Sequence, residues 1–292
     1  LGQPVRAAVR GRADLAGGAG SARLTLERLG AIDGRFILDA AFSNDTRNLS
    51  LTLDAQEAPG GIAVSKLGVP DRPSAQLRVA GDGPLDDFAA DIELDTDGVP
   101  RVQGKFALQT AQPGVQQAVE LSLSGDLRPL LQPAFHPFFG AESTLTTTAR
   151  RFDDGQLSLD ALTVRTQTLS VTGRARIGAA GLPELIDLRG TLAGPDGGRV
   201  LLPLAGASTS VQSADLKLTF DASVNEDWDL VLDIEGFDNG DIAVDTMFVN
   251  GLGRITSQAF GEDRDTVDAL VDFSTMGVTA SDPDLAAALG RS

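Results

Sequence analysis

Asn48-Leu49-Ser50-Leu51-Thr52-Leu53-Asp54 places a leucine at every second position and a polar residue between. Successive side chains of an extended backbone leave on opposite faces, so the stretch reads as a strand with one apolar and one solvated side. The same period of two returns at 36–40, 88–94, 102–108, 119–123, 145–149, 157–159, 169–177, 186–192, 214–220 and 228–234. The apolar track is mostly Leu, Val, Ile, Phe, Ala and Gly, and the intervening residues are mostly Ser, Thr, Asp, Arg and Gln. No helical stripe competes with it. The expected fold is all-β.

Asp33-Gly34, Asp97-Gly98, Asp154-Gly155, Asn239-Gly240 and Asn250-Gly251 supply the positive φ of tight hairpin turns. Gly81-Asp82-Gly83 and Gly251-Leu252-Gly253 lack the third glycine of a dinucleotide-binding fingerprint and read as turns as well. The opening Gly/Ala-rich sequence reads as loop. Short connections make sequence neighbours sheet neighbours, which predicts a long, curled, mostly antiparallel meander. Three segments interrupt it: 58–73 as a short helix between turns, 126–143 as a Pro/Phe-rich connection, and 283–290 as a short helix after Ser281-Asp282-Pro283. Strand–turn–strand grammar recurs at irregular spacing, so 1–292 reads as one continuous elongated segment.

Composition narrows the function. With 41 acidic against 24 basic residues the net charge is -17, which disfavours a phosphate backbone or an anionic membrane surface as partner; no nucleic-acid binding is expected. The absence of cysteine removes disulfides and thiolate chemistry. No apolar run approaches the length of a membrane helix, and the start at Leu1 carries no signal-peptide pattern, so an interior portion of a larger protein is expected. His136 is the single histidine and sits between prolines, a poor basis for a triad or metal site. Glu93, Asp95, Asp97 and Gly98 imitate the start of a calcium loop, but Gly104 stands where a bidentate glutamate is required. Sugar chemistry lacks platforms, with no Tyr and one Trp. No catalytic residue, metal or cofactor is expected, and the chain does not read as an enzyme.

What remains is the apolar face, which would serve equally as the core of a closed sandwich or as the lining of an open trough. Here a resemblance adds something. Gly81-Asp82-Gly83-Pro84-Leu85-Asp86-Asp87-Phe88 with Gly104-Lys105-Phe106, Asp126-Leu127-Arg128-Pro129-Leu130-Leu131 with Phe138-Phe139-Gly140, and Pro195-Asp196-Gly197-Gly198 with Leu202-Pro203-Leu204 resemble inner repeats of the TamB family. So does the tail from Asp282 to Gly290, in its alphaproteobacterial form.

The resemblance implies a β-taco, a sheet folded lengthwise into an apolar groove related to AsmA-like bridge proteins. It implies phospholipid acyl chains as cargo between inner and outer membranes, a periplasmic location in a Gram-negative cell, an inner-membrane anchor beyond this segment and a TamA-like outer-membrane β-barrel as partner. In that setting the groove is lined by Phe36, Leu38, Leu49, Leu51, Leu53, Phe88, Ile92, Leu94, Phe106, Leu108, Leu121 and Leu123, then by Leu169, Val171, Ile186, Leu188, Leu216, Leu218, Phe220, Leu230, Leu232 and Ile234. Two other readings accompany it: a scaffold that assembles outer-membrane proteins by strand pairing, and an adhesin-like secreted β-protein, which uneven strand spacing disfavours.

Overall fold

Alternating sequence becomes sheet throughout a computed structural model that describes residues 6–110, 113–204, 208–256 and 266–282. The fold is all-β and antiparallel, with few and short helices, and the sheet does not close. The chain divides into two units, Leu1–Pro133 with Thr144–Arg150, and Ala134–Ser143 with Arg151–Ser292.

In the first unit β1 (Arg6–Ala16), β2 (Ala19–Leu29), β3 (Gly34–Ser43), β4 (Asn48–Glu57), β5 (Ala75–Pro84), β6 (Asp87–Thr96), β7 (Val99–Gln109) and β8 (Val115–Gly125) follow in chain order. Each pairs antiparallel with the next. A short helix, α1 (Ile62–Lys66), lies between β4 and β5 within the stretch read as helical, and buries Val64. β9 (Ser143–Phe152) contributes Thr144–Arg150 to this unit.

The second unit holds α2 (His136–Phe139), β10 (Leu157–Arg165), β11 (Leu169–Ile177), β12 (Pro183–Ala193), β13 (Val200–Leu201), β14 (Ser210–Val211), β15 (Ser213–Asp221), β16 (Asp227–Asp238), β17 (Ile242–Thr256), β18 (Thr266–Met276) and β19 (Thr279–Ala280). β10, β11, β12, β15, β16, β17 and β18 pair antiparallel in that succession. Between β12 and β15, which pair directly, the chain forms β13 and β14; these pair with each other, and β14 also meets β16 at Ser210 and Asp238. The helix read over 283–290 lies outside the described residues.

Several turn expectations hold and several do not. Asp97-Gly98 has the two positive φ values, 51° and 73°, of a two-residue hairpin turn. Gly17-Gly18, at 58° and 82°, joins β1 to β2, so the opening sequence read as loop is a hairpin. Gly81-Asp82-Gly83 lies inside β5, and Asn250-Gly251 and Gly251-Leu252-Gly253 inside β17. Packing explains their glycines. A Cβ on Gly81 would meet the Phe88 ring at 2.5 Å, and one on Gly251 would meet the Trp228 ring at 3.0 Å. Strand glycine here accommodates a neighbouring ring rather than reversing the chain.

Candidate functional site

Cross-strand register decides whether the apolar tracks of separate strands join. In the first unit they do. Leu24 faces Leu38, Leu38 faces Leu53, Leu53 faces Val79 and Val79 faces Ile92. Ile92 faces Gly104, and Gly104 faces Leu123. Parallel rows run through Leu26, Phe36, Ala55, Leu77, Leu94 and Val102, and through Ala40, Leu51, Gly81, Ala90, Phe106 and Leu121. Directly opposed residues lie on one face, so the candidate lining residues from Phe36 to Leu123 share a single continuous side. Leu49 and Leu108 extend it, facing Phe42 and Phe88 respectively.

The second unit repeats the arrangement. Ile186 faces Phe220 and Phe220 faces Trp228; Leu188 faces Leu218 and Leu218 faces Leu230; Leu216 faces Leu232, and Leu232 faces Val249. Val171 faces Gly190, which faces Leu216, while Ile234 faces Ala214 and Met247. A bulge between Leu159 and Leu162 shifts the inward track of β10 from odd to even positions, so that Leu162 and Val164 continue what Leu157 and Leu159 begin.

Burial distinguishes a sealed core from a lined surface. Of the candidate residues only Phe88 and Phe220 are buried, at 5% and 2% exposure; the others are half-buried. A sandwich interior would remove such leucines from water almost completely. Twelve apolar residues are buried among those described, too few for a filled core in a chain that is 42% hydrophobic. The inner track is therefore an apolar surface with solvent access on one side. Toward the Gly17-Gly18 turn it forms a hollow of about 610 Å³, lined by Ala13, Leu15, Gly20, Ala22, Ala40, Phe42 and Leu49 among others. That volume lies within the roughly 300–1,000 Å³ typical of small-molecule sites.

Large and small residues alternate across the face. The Phe88 ring overlies Gly81, Leu123 overlies Gly104, Leu188 overlies Gly173, and the Trp228 ring spans Gly251 and Gly253 to donate its indole N–H to the Asp268 carbonyl at 3.2 Å. Side chains thus lie down over missing Cβ atoms, which smooths the lining.

One end of the second unit's face is covered. Phe138 of α2 packs with Val200 and Val211, and against this cluster sit Phe139, Leu169, Leu192, Leu202, Ile234 and Phe237. The carbonyl of Phe138 accepts hydrogen bonds from the Thr168 amide and hydroxyl, at 3.3 and 3.1 Å. Leu169 and Ile234, read as groove lining, belong to this local core. In the first unit α1 is held by the Glu57 carboxylate, which accepts the Ala63 N–H at 2.8 Å.

The opposite face is polar and threaded by ion pairs, among them Arg23–Asp39 at 3.6 Å, Arg78–Asp54 at 3.6 Å, Lys105–Asp91 at 3.8 Å and Arg174–Asp187 at 3.7 Å. Asp97, from the stretch that imitates a calcium loop, accepts hydrogen bonds from the Ser74 amide and hydroxyl, both at 2.9 Å. His136 opens α2 beside the apolar cluster. Among the described residues no group of three or more His, Cys, Asp or Glu side chains is placed to hold a metal ion.

Family models, curated proteins and solved structures were all compared with this chain. None matches it. The site thus rests on its own geometry.

Sequence reasoning missed several lining residues. Leu77 and Val79 of β5 and Met247 and Val249 of β17 stand in the same rows as the residues read from alternation. Their strands were obscured by internal glycines. A usable signal was present: Leu77 and Val79 are two apart, and Gly81 and Gly83 continue the same track.

Proposed function

We propose that this chain provides an apolar β-lined groove for lipid acyl chains, and that it does so as a periplasmic segment of a TamB-like protein moving phospholipid between membranes. One observation carries the reading: a register-continuous apolar face, half open to solvent, on a sheet that does not close. Each methylene laid on such a face gains roughly 0.8 kcal/mol at full burial, so several of them hold a chain. Smooth apolar contact has no direction, and glycine-levelled lining offers few steps, which suits sliding rather than fixed docking. The ion-paired opposite face supplies solubility. Binding without chemistry fits a single histidine and no cysteine.

The first test is extraction and mass spectrometry of lipid carried by the purified chain. Leu51→Asp with Phe106→Asp, both on the inner track, is expected to abolish the carried phospholipid, while Thr52→Asp on the opposite face leaves it unchanged. A second readout uses Trp228, the only tryptophan. Phospholipid with brominated acyl chains is expected to quench its emission, and brominated headgroup analogues are not. Equal lipid on both variants, with no quenching, would sink the reading.

A further inference from the structure

Along β1 to β6 only two inward positions carry charge, Arg28 of β2 and Glu57 of β4. Both stand at the same end of the apolar face, in the row that runs from Arg28 over Gly34 to Glu57, Ala75 and Thr96. The Glu57 carboxylate is taken up by the Ala63 amide. Arg28 is not taken up. Its Nη1 is buried with no hydrogen-bond acceptor, and among the described residues no carboxylate pairs with its guanidinium. Other arginines are settled. Arg23, Arg78 and Arg174 on the polar face each meet an aspartate, and Arg101 donates its Nε to the Thr96 hydroxyl at 2.7 Å.

A guanidinium keeps its charge inside proteins, so an unmet buried donor is not relieved by losing a proton. The stem of Arg28 leans over Gly34 of β3: a Cβ there would stand 3.4 Å from the Arg28 Cβ and 3.6 Å from its Cδ. Glycine at 34 thus makes room for the stem on the side away from β1. The unmet donor lies among strands paired on both sides, since β2 joins β1 and β3, and β3 joins β2 and β4. The side chain is only half-buried, so an anion reaches the guanidinium from the open side of the face. Leu24 and Leu26 precede it on the same track. We infer that Arg28 receives the phosphate of a phospholipid whose acyl chains lie on these adjoining apolar rows. The planar fork of donors matches a phosphate through two oxygens at once. This rests on the groove reading and gives the track a stopping place, where the head group meets charge and the chains meet leucine.

Dioleoyl phosphatidic acid and dioleoylglycerol differ by the phosphate alone, so detergent micelles carrying both in equal amounts isolate its contribution. The unaltered chain is expected to retain the phosphatidic acid in roughly tenfold excess, as one charge-assisted contact allows. Arg28→Met, which keeps the length and loses the charge, is expected to erase that excess and leave the retained dioleoylglycerol unchanged. Without lipid, the same variant is expected to unfold at the same urea concentration or a higher one, because it removes a buried donor that nothing satisfies. Inorganic phosphate alone is expected to leave the unfolding midpoint of the unaltered chain where it was, since no acyl chain anchors it. A lowered midpoint for Arg28→Met would show a guanidinium held by the fold and overturn the inference. So would stabilisation by inorganic phosphate that Arg28→Met abolishes, which assigns the position to a free anion. Equal retention of the two lipids by the unaltered chain overturns the head-group site and leaves the groove standing; retention of neither removes both.

Discussion

At the scale of single residues the lining depends on what glycine omits. A Cβ on Gly81 would approach both the Ala89 carbonyl and the Phe88 ring, one of them immovable backbone. Gly81→Ala is therefore expected to destabilise the chain by about 1–3 kcal/mol, seen as a lower urea midpoint at unchanged slope. At Gly155 the Cβ direction is open to solvent, and a substituted side chain would instead be strained by the φ of 92°, which glycine adopts freely. Both are glycines, and they are needed for opposite reasons. Acid sensitivity is likewise local. The Arg128 guanidinium and amide hydrogen-bond the Asp126 carboxylate, at 2.7–3.0 Å, and hold its pKa below the ordinary value. A carboxylate whose folded pKa is depressed contributes stability in full above its unfolded pKa and loses it as pH falls through the folded value. Asp126→Asn is expected to lower stability at neutral pH only slightly, because solvent screens so exposed a pair, and to remove part of the decline as pH falls through the carboxylate range, measured by thermal unfolding across pH.

Secondary-structure elements divide into those that make the face and those that cover its end. α2 has only four residues and no side-chain cap, so tertiary contacts must hold it. Phe138→Ala is expected to cost about 3–5 kcal/mol and to raise amide exchange at Thr168 and Leu169, while exchange in β6 and β7 is unchanged. The same elements show where sequence was readable. Strands with bulky residues at successive inward positions, such as Leu49, Leu51 and Leu53 of β4 and Trp228, Leu230, Leu232 and Ile234 of β16, announce themselves by alternation. β5 and β17 carry glycine at inward positions because a ring from a neighbouring strand, Phe88 of β6 or Trp228 of β16, fills the space, and composition alone makes that look like a turn. The bulge in β10 is equally silent, since nothing local marks Asp160-Ala161 as two residues standing against Arg174 alone. The cluster around Phe138 joins residues more than sixty positions apart, which no local pattern reports.

For the molecule as a whole, class and polarity were legible while openness was not. Alternation predicts one apolar side but is indifferent to whether another layer covers it; half-burial of Leu51, Ile92, Leu188 and Leu230 resolves that point. The sequence carries a net charge of -17, and the exposed ion pairs described on the polar face contribute at most about 1 kcal/mol each. Raising salt from low to physiological ionic strength is expected to change the unfolding midpoint little, because screening weakens attraction and net repulsion together. Within each unit strands rely on their immediate neighbours, and this has a consequence for how such a chain can change size. Taking out β6 and β7 together would let β5 meet β8 with strand direction conserved, whereas removing one strand alone would force a parallel contact. Evolution and engineering alike are thus steered toward trimming or lengthening the chain by whole hairpins, like links taken from a watch strap.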